Sequence, residues 1–337
     1  MMRIHLTESK KTHEFDIVRT SHVEYLVSDL EKSREFYVET LGMIETENTK
    51  NRIYLRGVED RFHHCLILTR ASKPAVAHIS FRVRSDLDLD DIAKLFEKIE
   101  LPYTWIEPEA KESGLGRAIR AQDPLGFPVE FFADIEESEW LWQNFDRHTG
   151  AKVMRIDHVN MLVPDVDSAS EWYVSRLGFT CTEYTETAGP NPRLWATWLR
   201  RKPTVHDVAL MSGVGPRLHH TGLLVGDRHN IMDAADILAS RGYLKSMERG
   251  PGRHGISNAF FLYLRDPDGH RIELYTGDYL SADPGWKPIR WKLNDPQRQT
   301  FWGAPAPDSW FNDASEVRSV FSGEKVKTSN PLLTQKK

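Results

Sequence analysis

Three residues, His158, His220 and Glu273, have the types and placing that could do chemistry together. Two imidazoles and one carboxylate on one face of a metal ion leave the opposite positions open. That arrangement is found in non-haem Fe(II) oxygenases, where two further ligands can meet on the metal. The carboxylate lowers the net charge of the site and favours a hard divalent ion. Both histidines open strand-like runs, His158-Val-Asn-Met-Leu-Val and His220-Thr-Gly-Leu-Leu-Val, and the glutamate lies in Arg271-Ile-Glu-Leu-Tyr. A single histidine at a strand end is commonly structural. Three potential ligands at matching places of a repeat are not so easily accidental.

Other reactive side chains fall nearby. His206 stands in Thr204-Val-His-Asp and His254 in Arg249-Gly-Pro-Gly-Arg-His-Gly, with Tyr263 beyond. An imidazole is suited to proton transfer because its ordinary pKa lies near 6.5. Arg249, with His254 nearby, is a candidate partner for a substrate carboxylate, since a buried carboxylate needs a cation. Trp198 is a candidate pocket wall. His219 should face away from His220, because strand side chains alternate, and so reads as structural. The Gly-rich Arg249–Gly255 loop lacks the Lys-Ser/Thr of a phosphate-binding loop.

The chain positions these residues by repeating itself. Ser21–Met43 and Asp157–Phe179, offset by 136, match at ten of 23 positions, including His22/His158 and Gly42/Gly178. His78-Ile-Ser-Phe-Arg-Val echoes His220-Thr-Gly-Leu-Leu-Val, and Asp123–Glu130 echoes Asp266–Glu273. Within each half an alternating run such as His22–Val27 precedes a helix-patterned stretch opened by Asp29 and closed by Gly42, and further strand runs follow. The economical description is four βαβββ units, an α+β fold, paired into two homologous domains at 16–135 and 156–280. The charged segment 136–155, with Trp140 and Trp142, reads as an ordered linker. This order of elements argues against a doubly wound sheet.

The first half offers His22, His78 and Glu130 at the same places, so the triad alone does not say which half works. The surroundings do. His64 stands opposite His206, but Lys111 stands opposite His254 and Arg120 opposite Tyr263. The proton-handling set is complete only in the second half. That half is expected to be catalytic, and the first to be a non-catalytic relic with His22 and His78 as satisfied core or cavity histidines. Residues 281–317, with five prolines and four tryptophans, read as a strap over the second half and as a possible lid; 318–337 is polar and expected to be disordered.

Composition sets the outer bounds. Of 337 residues two are cysteine, Cys65 and Cys181, which excludes a disulfide scaffold or cysteine-rich zinc array and suggests reduced thiols in a cytoplasmic protein. Net charge is 44 − 49 = −5, which speaks against general nucleic-acid binding. No apolar run reaches membrane-spanning length, and Met1–Phe15 lacks an apolar signal-peptide core.

The motifs together, from His158-Val-Asn160 through Arg201–Leu210, Gly215–His220 and Glu248–Tyr263 to Asp266–Tyr279, resemble type I extradiol ring-cleaving dioxygenases of the vicinal oxygen chelate superfamily. The likeness covers about residues 16–310 and is nearest to the enzymes that cleave homoprotocatechuate (3,4-dihydroxyphenylacetate). It implies metal ligands at His158, His220 and Glu273, holding Fe(II) or Mn(II). It implies His206 as acid/base, Tyr263 and His254 as groups bonding the catechol, Asn160 in the pocket, and the strap as lid. It also implies a catechol and O2 as substrates, a muconic semialdehyde product, and a homotetramer. Around Pro296-Gln-Arg-Gln299 the family leads one to expect two adjacent arginines, whereas here Arg298 is followed by Gln299. Another substituted catechol, or an isomerase or lyase of the same superfamily, is the alternative.

Overall fold

The computed structural model describes residues 14–108 and 110–333. The N-terminal stretch read as lacking a signal-peptide core lies largely outside these, as do residues 334–337. Four βαβββ units are present. The first runs through strands Ile17–Val27, Ile44–Asn48, Arg52–Arg56 and Leu66–Arg70; the second through Ala75–Val83, Tyr103–Ile106, Ala118–Gln122 and Pro128–Phe132. In the second half the strands are Val153–Val163, Thr180–Glu186, Leu194–Arg200 and Val208–Ser212, then Arg217–Val225, Met247–Arg253, Phe260–Arg265 and Arg271–Thr276. The second half thus begins at Val153, three residues before the boundary read from sequence.

Local chemistry explains the helices. Asp29 caps Leu30–Arg34, its carboxylate accepting from the backbone of Glu31 and Lys32. The helix then widens into a π-turn at Glu35–Thr40 and stops at Gly42, whose φ of +79° favours glycine. Asp165, Val166–Glu171 and Trp172–Arg176 repeat this design. Capping boxes at Ser85/Asp88 and Asp227/Asn230 open Asp86–Lys98 and Arg228–Ser240.

Each half forms one mixed sheet whose two central strands run antiparallel, Ile17–Val27 against Ala75–Val83 and Val153–Val163 against Arg217–Val225. Apolar side chains from both halves, among them Phe81, Tyr173 and Phe179, form one continuous core. Polar contacts pin the halves together. Tyr37 Oη donates to Asp266 Oδ2 at 2.9 Å, and Thr20 N donates to Asp207 Oδ1 at 3.0 Å. No helix among the described residues is long and apolar enough to cross a membrane.

The strap is more deeply built in than a surface band. Ile289–Lys292 adds a parallel strand beside Thr180–Glu186. Buried Glu183 accepts from Trp291 Nε1 and Tyr279 Oη, both at 2.6 Å. The tryptophans differ in burial: Trp310 is enclosed, whereas Trp302 is 47% exposed. The disorder expected from residue 318 onward is corrected over 318–333. Arg318 N donates to Val76 O, Gly215 and Ser329 exchange two backbone hydrogen bonds, and Leu333 O accepts from Ser212 Oγ. These bonds use backbone groups, which a polar composition does not forbid, and they tie the tail to both halves.

Asp207 is buried and accepts from three backbone amides, Thr20, Arg201 and Lys202. Each amide left unsatisfied costs about 1–3 kcal/mol. Asp207→Ala should therefore lose about 3 kcal/mol or more of stability in urea unfolding; a loss below about 1 kcal/mol would contradict this role for the carboxylate.

Candidate active site

Strand register builds the site. His158 lies directly across from Gly222, Gly222 from Glu273, and Glu273 from Tyr263, so one row crosses four strands. Gly222 carries no side chain, and His158 and Glu273 close over it. A Cβ there would come within 2.2 Å of His158 Cε1. His220 enters from the next row, opposite Asn160.

The donor atoms converge. His158 Nε2 lies 2.9 Å from Glu273 Oε2 and 3.3 Å from His220 Nε2, and His220 Nε2 lies 3.1 Å from Glu273 Oε2. Ligands about 2.1 Å from one ion and at right angles to each other would stand about 3.0 Å apart. All three residues are buried, and Glu273 Oε1 has no hydrogen-bond partner. Donor types, spacing and the orphaned oxygen all fit a divalent metal.

The outer contacts fix the tautomers this requires. His158 Nδ1–H donates to Asp157 Oδ2 at 3.0 Å, which leaves the Nε2 lone pair free. His219 Nε2–H donates to Trp310 O at 2.9 Å, so its Nδ1 accepts from His220 Nδ1–H at 2.7 Å. His220 Nε2 then carries a lone pair too. His219 was expected to face away from His220; a β-bulge between Leu218 and His220 instead brings the two rings together. It remains a supporting residue, now with a defined task.

Electrostatics follow burial and these partners. Burial opposes charge on His158, yet the hydrogen bonds to Asp157 and Glu273 hold its pKa up to about 9. Burial prevails at His220, pulling it down to about 4 despite Glu273. Glu273 stays well below the usual carboxylate range, because His158, His220 and His254 outweigh the burial. The metal-free set thus holds one proton at neutral pH, which an incoming dication would displace.

Beside the three lies a pocket lined by Asn160, Trp195, Trp198, His206, His254, Tyr263, Arg298, Gln299 and Trp310 among others. His206 is buried, with its ring centroid 4.0 Å from that of His158. Burial, then the charges of His158 and Lys202, keep it neutral, and its Nδ1 has no partner. His254 Nδ1–H donates to Gln299 O, so its Nε2 accepts from Tyr263 Oη at 2.9 Å. Tyr263 is held as a phenol, its pKa raised well above 10 by burial and by Glu273.

Of the residues expected at a substrate carboxylate, Arg298 lines the pocket and Arg249 does not. Arg249 lies behind the wall, over the rings of Phe261 and Trp310, with Nη2 donating to Thr300 Oγ1 at 2.6 Å. By register Arg249 pairs with Tyr263, but its guanidinium is taken up by these rings and by Thr300 rather than by the pocket. Sequence reasoning missed Trp195 and the pocket role of Trp310 and Gln299, the latter two delivered by the strap.

The first half gathers His22, His78 and Glu130 as well, joined by Glu112 rather than by its neighbour Lys111. Arg120 occupies the place of Tyr263, donating through Nε to Glu130 Oε2 at 2.6 Å and through Nη2 to Glu112. Among the described residues no pair there matches His254 and Tyr263.

Residues 19–131 and 155–274 both match the model of the Glyoxalase/Bleomycin resistance protein/Dioxygenase superfamily. The chain is 35% identical to the manganese-dependent 2,3-dihydroxybiphenyl 1,2-dioxygenase of Geobacillus genomosp. 3, over 89% of this chain and 99% of the relative. The chain belongs to the extradiol dioxygenases of this superfamily. A metapyrocatechase of Geobacillus stearothermophilus is 32% identical over 88% of this chain and 93% of its own. Among solved structures, homoprotocatechuate 2,3-dioxygenase from Brevibacterium fuscum with 3,4-dihydroxyphenylacetate superposes with a TM-score of 0.90 at 38% identity, covering 96% of this chain and 100% of that one. The extradiol dioxygenase fold is thus shared along nearly the whole chain, strap included.

Gly222→Ala should push the His158 ring from its place and weaken Mn(II) binding at this site at least 100-fold, a larger effect than is usual for an outer contact. Titration of metal-stripped protein checks this; unchanged affinity would mean that His158 is not a ligand.

Proposed function

We propose that this dioxygenase opens the ring of 3,4-dihydroxyphenylacetate beside its paired hydroxyls. Both atoms of O2 are inserted, giving 5-carboxymethyl-2-hydroxymuconate semialdehyde, a step in aromatic-compound breakdown. The observation that carries the reading is Arg298. Its guanidinium is buried in the pocket wall against Trp195, and its Nε has no hydrogen-bond partner. Burial lowers its pKa to about 10, and it stays charged at neutral pH. A buried cation without a full set of partners favours a substrate bearing an anion.

The metal, Fe(II) or Mn(II), supplies a meeting point for both catechol oxygens and O2 and a path for electrons between them. His158, His220 and Glu273 would hold it. The remaining work falls to the chain. Tyr263, with its proton directed to His254 Nε2, presents a phenol to the catechol oxygen beside it. His206, neutral and with a free ring nitrogen, takes up and returns a proton on the opposite side. Asn160 and Trp198 bound the ring, and Trp310 closes the pocket against water.

A second reading is a catechol with an uncharged substituent. Gln299 beside Arg298 and the aromatic wall of Trp195, Trp198 and Trp310 favour it. An oxygen electrode separates the readings. Oxygen uptake and a yellow product are expected with 3,4-dihydroxyphenylacetate, and Arg298→Leu should raise KM for it about 10–100-fold while leaving catechol nearly unaffected. An equal effect on both would favour the uncharged substrate, and turnover without oxygen uptake would point to an isomerase or lyase.

A further inference from the structure

We infer that the first half holds a second divalent cation, enclosed and structural, on His22, His78, Glu112 and Glu130. His22 Nε2 lies 3.2 Å from each of His78 Nε2, Glu112 Oε2 and Glu130 Oε1. His78 Nε2 lies 3.7 Å from Glu130 Oε1. These are the separations of ligands around one ion about 2.1 Å from each. The arrangement is independent of the catalytic reading, which uses the other half.

Counting protons shows why hydrogen bonds alone do not account for the cluster. His78 Nδ1 stands 3.0 Å from Glu24 Oε2, off ideal hydrogen-bond geometry but beside a carboxylate that draws its proton. Its Nε2 lone pair then faces a carboxylate oxygen and a second imidazole. Ser80 Oγ–H donates to Glu130 Oε1 at 2.7 Å, so its proton is already used. His22 Nε2 carries at most one proton, yet four polar atoms surround it within 3.2 Å. Glu112 Oε2, buried and aimed into the cluster, has no hydrogen-bond partner, nor has His64 Nε2 at 3.6 Å from it. Acceptors facing acceptors in a dry interior repel unless a cation stands between them.

The charges agree. Arg52 neutralises Glu24. Arg120 grips the outer oxygens, Glu130 Oε2 and Glu112 Oε1, leaving Glu130 Oε1 and Glu112 Oε2 turned inward. Two carboxylates against one guanidinium leave a buried negative charge. Two nitrogens and two carboxylate oxygens suit a first-row dication such as Zn(II) or Mn(II). Every donor is at most 1% exposed, so no substrate reaches the ion, as in closed structural sites.

The full chain, stripped with chelator, reloaded with Mn(II) or Zn(II) and analysed for metal, should bind two ions. Glu273→Ala and Glu112→Gln should each retain one, and oxygen uptake should survive only in Glu112→Gln. One ion in the wild type, lost entirely in Glu273→Ala, would overturn the inference. Should Glu112→Gln not fold, the wild type and Glu273→Ala still decide it. Anomalous scattering from Mn(II)-loaded crystals should give a peak between His22 and His78; a peak only beside His220 would equally overturn it.

Discussion

The site depends on strand register. His158, Gly222, Glu273 and Tyr263 form one row across four hydrogen-bonded strands. Slipping any strand by one residue would turn its contribution to the other face of the sheet. The missing side chain at Gly222 lets an imidazole and a carboxylate meet over it. The equivalent row in the first half has Ser80 between His22 and Glu130, and its hydroxyl touches both. One framework thus presents two donor sets with different centres, the one open to a pocket and the other closed.

The strap completes what the sheet begins. Its Trp310 carbonyl takes the His219 proton, and so sets which nitrogen of His220 is free for a metal. Its Gln299 carbonyl takes the His254 proton, and so makes His254 Nε2 the acceptor for Tyr263. Arg298 and Trp310 wall the pocket. The segment therefore does more than cover the site: it fixes two proton positions and contributes the buried cation. Its anchoring at Glu183 and through the tail to Val76 and Gly215 gives those groups a firm base.

Much of this was legible in the sequence, for physical reasons. Alternating apolar runs, Asp caps and helix-ending glycines are local signals, and internal repetition puts His158 and His220 on first strands and Glu273 on a last strand of their units. His206, His254 and Tyr263 stood out through comparison of the halves. What could not be read depended on contacts distant along the chain or on irregular backbone. Glu112 lies in a loop without a clear repeat, beside the Lys111 that the repeat sets opposite His254. A bulge brings His219 to His220, and contacts with Phe261, Trp310 and Thr300 hold Arg249 away from the pocket. The order in 318–333 comes from backbone hydrogen bonds, which leave no compositional trace.

The central claim is that the open triad of the second half, and not its closed counterpart, carries the chemistry. Oxygen uptake with catechol and 3,4-dihydroxyphenylacetate by His220→Ala and His78→Ala, at a temperature where both are folded, tests it most directly. His220→Ala should lose at least about 1,000-fold in rate, since an open metal site underlies the whole reaction, while His78→Ala keeps its activity. Full activity in His220→Ala together with loss in His78→Ala would contradict the account.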